Sequence, residues 1–321
     1  MKLGVMNPVL NSYSFEDALK YLNSLGVQEM EIGAGGYPGD NHLKPAELIG
    51  HPEKVKEYKD LMAKYDISIS AIACHGNPLH PNKEFAEKSD TEFKNAILAA
   101  ELLGVDTIIG FAGCPGDCED SKLPNWVTCA WPEDYLQVLN WQWKEKVIPY
   151  WKKTAEFAKA HGITKIAFEM HPGFVVYNPE TCLKLREAVG DIIGANVDPS
   201  HLFWQGINPV EAIKKLKGAI YHFHAKDTKI DEHNTAVNGV LDTKSYGDIL
   251  GRSWVFRTIG YGHGKEVWND IISTLKAVGY DGSISIEHED ALMSPEEGLE
   301  KAIAFLKEVL IFKTAGEMWW A

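Results

Sequence analysis

Ala167-Phe168-Glu169-Met170-His171-Pro172, Asn196-Val197-Asp198-Pro199-Ser200-His201, His222-Phe223-His224-Ala225-Lys226-Asp227 and Ile286-Glu287-His288-Glu289-Asp290 are four runs of one kind. Each begins apolar and β-rich and ends in carboxylates or imidazoles. Outward from them the same alternation fills the chain. Strands are expected at 2–7, 29–33, 68–74, 107–112, 165–170, 193–198, 219–225 and 283–287. Amphipathic helices are expected between them, at 15–25, 54–65, 91–103, 135–160, 179–188, 209–216, 267–278 and 295–309. Ser14 and the pairs Asn178-Pro179, Asn208-Pro209 and Ser294-Pro295 read as helix starts, because a capping oxygen precedes a proline or the first turn. Gly26, Gly104, Gly162, Gly190, Gly218 and Gly279 read as stops. Eight strand–helix units allow an open doubly wound sheet or a closed barrel. No Gly-x-Gly-x-x-Gly turn follows the first strand, and polar groups gather after many strands, so closure is favoured. The expected fold is a single-domain (β/α)8 TIM barrel over 1–310 with a tail at 311–321.

The formal charge of −13 disfavours a nucleic-acid partner, since no basic stripe offsets the repulsion of phosphates. The N-terminus lacks a signal-like apolar run, and no stretch is long and apolar enough for a membrane span. Cytoplasmic residence without membrane association is therefore expected. Cysteines at 74, 114, 118, 129 and 182 are odd in number, and Cys114-Pro-Gly-Asp-Cys118 has no second pair, so these read as thiols rather than a disulfide or zinc framework. The stretches 113–133 and 228–265 are too long for simple connections and are expected to overhang the catalytic mouth. Met318-Trp319-Trp320 reads as a packing anchor or a partner surface.

A barrel would bring the four strand ends within a few ångströms of one another, where clustered carboxylates repel. A divalent cation resolves the conflict, and Glu169, Asp198, His224 and Glu287 are its expected ligands. Three carboxylates and one imidazole suit Mn2+, with Mg2+ or Co2+ as alternatives, better than a closed zinc site. After strand three, His75 and Asn77 in Cys74-His75-Gly76-Asn77-Pro78-Leu79-His80 are expected substrate contacts. His201, Lys226 and Arg257 are further candidates for the same role. Trp126, Trp131 and Trp204 could wall one face of a sugar, and Asp227, His288 and Glu289 are expected behind the ligands.

These strand ends, with His75, resemble the xylose isomerase-like barrel superfamily of sugar phosphate isomerases and epimerases, over essentially the whole chain. The resemblance implies metal ligation by the same four residues and acid–base roles for Glu169 and Glu287 on opposite faces of the sugar. A metal would polarise a carbonyl so that a base can form an enediolate. His171 stands two residues after the first metal glutamate, as does the base of C-glycoside deglycosidase catalytic subunits. That resemblance implies a lyase of 3-oxo-glycosides working with a small partner subunit. The leading expectation is a metal-dependent sugar isomerase or epimerase, with a small carbohydrate substrate and possible homo-oligomerisation. No glycine-rich phosphate cradle follows the last strand, so a phosphorylated substrate is not expected.

Overall fold

The structure, a computed structural model, describes residues 1–313 and 316–320. Eight parallel strands close a barrel: β1 (Lys2–Met6), β2 (Glu29–Gly36), β3 (Ser68–His75), β4 (Thr107–Gly110), β5 (Lys165–Glu169), β6 (Ile193–Val197), β7 (Ile220–Ala225) and, after two strands outside the barrel, β10 (Ser283–Ile286). β1 pairs with β2 and β10, and β10 with β7, which seals the ring.

Side-chain alternation along the strands sorts the residues into two sets. Val5, Met30, Ile32, Ile72, Ile108, Phe168, Val197, Phe223 and Ile284 point outward into the core under the helices. Met6, Ala71, Ala73, Ile109 and Ala167 point into the barrel, where they form a small separate apolar cluster. The same inward parity holds Glu31, Asn196, His222, His224 and Ser285, all buried. It continues past the strand ends to His75, Glu169, His171, Asp198, Lys226 and Glu287. The strand period alone therefore aims the chemical groups at the barrel axis.

The expected caps form. Asn178 accepts from the backbone of Thr181 in a reciprocal capping box, and Ser14, Asn208 and Ser294 each accept from their own first turns. The helix expected at 91–103 starts earlier, as Lys83–Leu103, because Asn82 caps it. The segment expected at 135–160 is continuous but contains a π-helical turn at Gln142–Val147. Pro149 follows that turn and has no N–H to continue the ordinary ladder.

The stretch 228–265 corrects its description as a long loop. It holds an antiparallel ribbon of β8 (Asp227–Ile230) and β9 (Trp254–Arg257), with the helix Glu232–Asn238 between the strands. Asp227 fixes the ribbon's return. Its buried carboxylate accepts from the backbone of Thr228, Gly260, Gly262 and His263, from His263 Nδ1 and from Trp268 Nε1. Among the described residues no helix is long and apolar enough to cross a membrane. Thr314, Ala315 and Ala321 of the expected tail lie outside the described residues. Met318, Trp319 and Trp320 are exposed, so they do not anchor the tail to the barrel.

Candidate metal centre and its pocket

At the C-terminal mouth, Glu169, Asp198, His224 and Glu287 each present one ligand atom, and all four atoms lie within 4.8 Å of one another. Beneath them is Glu31, a residue with no assigned role in the sequence reading. Its oxygens lie 2.9 and 3.1 Å from His224 Nε2, and Ser285 Oγ donates to it at 2.9 Å. A carboxylate can only accept, so Nε2 carries the proton and Nδ1 is left facing the quartet. Burial pushes Glu31 toward the neutral acid, but His224 and His222 outweigh it and hold the carboxyl below its ordinary value. A charged residue in mid-strand, flanked by outward-facing Met30 and Ile32, was the signal that could have revealed it.

Glu169 is held from two sides, by His75 Nε2 at 3.0 Å and His201 Nε2 at 3.1 Å, and His224 Nδ1 lies 3.3 Å away. Burial opposes its ionisation, yet these imidazoles keep it ionised well below the usual carboxylate range. His75 and His201, both expected as substrate contacts, thus spend a nitrogen each on positioning Glu169, and His75 also lines the cavity. Lys226 is not a free substrate-binding cation. Its buried ammonium lies 3.2 Å from Asp198, 2.9 Å from Glu287 and 3.1 Å from Glu289. Those carboxylates raise its pKa well above the ordinary value against the cost of burial.

The donor set fits a divalent cation. Three carboxylates against the one ammonium leave two negative charges when His224 is neutral. Asp198 Oδ2 and His224 Nδ1 are buried and make no hydrogen bond of proper geometry, although Lys226 and Glu287 lie 3.2 and 3.0 Å away. Burial raises the pKa of Asp198, and neighbouring Glu287 and Glu169 add to the rise against Lys226 and His201. His224 is raised well above its ordinary value because Glu31, Glu287 and Glu169 overcome its burial. The rise at His224 marks the carboxylates around it, whereas that at Asp198 is chiefly the cost of burial.

A cavity of about 190 Å³ lies over the quartet, with His75, Phe111, His171, Lys226 and His288 in its wall. His171 Nδ1 donates to the Pro172 carbonyl at 2.6 Å, which leaves the lone pair on Nε2. Burial, with nearby His201, pushes its pKa down to about 3, so the ring is neutral. Phe111 was also unanticipated. It stacks on Phe174 and sets its edge or face against His75 and His171 at centroid distances of 4.6 and 5.0 Å. Beside His75, Gly36 has φ of 68°, and any side chain there would run into the His75 carbonyl.

Other expected contacts lie elsewhere. Asn77 is buried and hydrogen-bonded through both its nitrogen and its oxygen. Its amide donates to the Cys114 carbonyl, and its oxygen accepts from the backbone of Cys114 and Leu79. Trp204 stacks on Trp254 behind the ribbon, centroids 4.6 Å apart and planes 6° apart, away from the cavity. Arg257 pairs with Asp290 at 2.9 Å and borders an adjoining chamber. Trp131 is 77% exposed, and Trp126 packs against Tyr177. The loop 113–133 contributes nothing to the cavity wall. Asn77 and Gln142, which binds the carbonyls of Gly116 and Asn125 at 2.9 and 2.7 Å, staple it to the barrel's flank. The ribbon does overhang the mouth: the Phe256 ring lies 4.7 Å from Lys226 Nζ and 5.3 Å from the His201 ring.

Comparison with known proteins agrees with this geometry. A family model described as the xylose isomerase-like TIM barrel matches residues 19–309. Protein YfiH of Bacillus subtilis is 40% identical over 312 residues, covering 97% of this chain and 99% of that protein. Among solved structures, 3-keto-D-glucoside 4-epimerase YcjR from E. coli superposes with a TM-score of 0.65 at 13% identity, covering 96% and 99% of the two chains. The IolI protein with a bound zinc atom gives 0.64 at 18% identity, covering 97% and 98%. At these identities the two structures speak for the fold alone.

Proposed function

Since the chain belongs to the xylose isomerase-like TIM-barrel family, we propose that it is a divalent-metal-dependent isomerase or epimerase of a small sugar or sugar derivative. The observation that carries this reading is the quartet Glu169, Asp198, His224 and Glu287, whose ligand atoms converge with three carboxylates against the single ammonium of Lys226. A bound divalent ion, Mn2+ on the balance of hard oxygen donors, supplies Lewis-acid stabilisation of the negative charge that develops on substrate oxygens. The chain's own residues do the rest. Glu169 and Glu287 approach the sugar from two sides, one removing a proton next to the carbonyl and the other returning it. His75 and His201 hold Glu169 in place, and Lys226 keeps Glu287 ionised. The test is a panel of ketoses and aldoses in D2O with chelated and Mn2+-reconstituted protein. Deuterium should enter the carbon next to the carbonyl only in the reconstituted sample. Full turnover after exhaustive chelation would contradict the proposal.

A second reading rests on His171, whose Nε2 lone pair is free at the cavity wall. Under it the chain removes a proton next to the carbonyl of a 3-oxo-glycoside, and the aglycone leaves by β-elimination. On this reading a small partner subunit accompanies the chain. Release of aglycone from a 3-oxo-glycoside supports this reading; a rearranged sugar with its glycosidic bond intact opposes it.

A further inference from the structure

Beside the cavity over the quartet lies a larger chamber, about 670 Å³ against about 190 Å³, and the two share His171, His288 and Glu289. We propose that this chamber receives a bulky, uncharged apolar substituent, so that the substrate is a sugar conjugate and not a free monosaccharide. The proposal rests on the reading of the quartet as a sugar site.

Three observations carry it. First, the smaller cavity, about 190 Å³, leaves little room beside a sugar ring, and the three shared residues place the chamber directly against it. Second, the lining is apolar where a substituent would rest: Tyr246, Val255 and Phe256 on the ribbon side, Leu292 and Met293 opposite. Tyr246 stacks on Phe256 with centroids 5.8 Å apart and planes 15° apart, presenting a flat aromatic face. Leu292 is 56% exposed and Tyr246 57%, so both keep apolar surface in water that a ligand could cover. Third, among the described residues the chamber's wall carries more carboxylate than cation. Arg257 is its one Lys or Arg side chain and is paired through Nε with Asp290, and Glu289 adds a second carboxylate. An anionic group would instead meet the carboxylates of Glu289 and Asp290 in the wall.

Calorimetric titration of the Mn2+-loaded full chain tests this with methyl β-D-glucopyranoside, 2-naphthyl β-D-glucopyranoside and 2-naphthol alone. The naphthyl glycoside should bind about ten-fold or more tighter than the methyl glycoside, a margin in keeping with the atoms added. Leu292→Asp and Ile249→Asp, two changes at the chamber's edge, should each erase that margin and leave methyl glycoside binding unchanged. Equal affinities in the wild type, or a margin that survives both variants, would overturn the proposal. If naphthol binds in a Leu292-dependent way while neither glycoside gains from its sugar, the chamber stands and the sugar reading of the quartet falls. If the methyl glycoside binds and the naphthyl glycoside binds no tighter or is excluded, the sugar reading stands and the chamber proposal falls. Absence of binding by all three overturns it as well.

Discussion

Glu31 and His224 form a fully buried carboxylate–imidazole pair, with both carboxylate oxygens within 3.1 Å of Nε2. This contact fixes the ring so that Nδ1 meets the quartet. Replacing Glu31 by Gln leaves the four candidate ligands in place but weakens the acceptor that orients one of them. Affinity for Mn2+ should fall about 10- to 100-fold. Titration of chelated wild type and variant reads this directly, and equal affinities would remove Glu31 from the centre.

His171 has one nitrogen committed to Pro172 and the other free in the cavity. Under the lyase reading, His171→Asn should lower kcat by about 10²- to 10⁴-fold, the usual range for loss of a general base. Mn2+ affinity should stay within about two-fold, because His171 is outside the quartet. An unchanged kcat would assign the ring to packing against Phe111 and His201.

His222 gives a pH signature of stability in the metal-free protein. It is buried between Asn196 and Ser70, and burial holds its pKa down to about 4 from 6.5, against the pull of Glu31. A depressed folded pKa contributes stability that is present above pH 6.5 and lost as pH falls through about 4. His222→Gln keeps a polar side chain there and cannot titrate. The wild type should therefore lose up to about 3 kcal/mol relative to the variant across that window. Urea unfolding from pH 7.5 to 4 measures it, and parallel curves would contradict the assignment. His224 shifts the opposite way, toward stability present below pH 6.5 and lost as pH rises through its raised folded value. It does so in wild type and variant alike.

Asn77 separates a structural role from a substrate contact. Asn77→Ala strands the buried backbone N–H and carbonyl of Cys114 and should cost about 1–3 kcal/mol of stability. Activity in the folded fraction should keep its KM. A raised KM with unaltered stability would return Asn77 to the substrate.

The sequence revealed the quartet because each member follows an apolar strand, and the side-chain period of two carries it to the barrel axis with no tertiary detail. Glu31 escaped notice because it sits inside its strand, where composition gives no rim to point at. The roles of His75 and His201 depend on which way a ring turns, and that follows from where Glu169 stands across the barrel. Asn77 looked free for the same reason: its partner, Cys114, is 37 residues away. The β8–β9 ribbon was unreadable because its strands are short and far apart in sequence, joined by an Asn-, Gly- and Asp-rich stretch. Lys226 was recognised as cationic, but that it neutralises the quartet follows only from β7 ending one residue before β8.

That one-residue junction makes the roof and the floor of the pocket a single lever. Lys226 is the only residue between β7 and β8, and Asp227, next to it, ties the segment after β9 back to the same end of the ribbon. A swing of the ribbon large enough to uncover the mouth would drag the ammonium off Asp198 and Glu287. Ligands should therefore enter past a standing awning, by way of the side chamber, and release should be governed by threading instead of by a flap that opens.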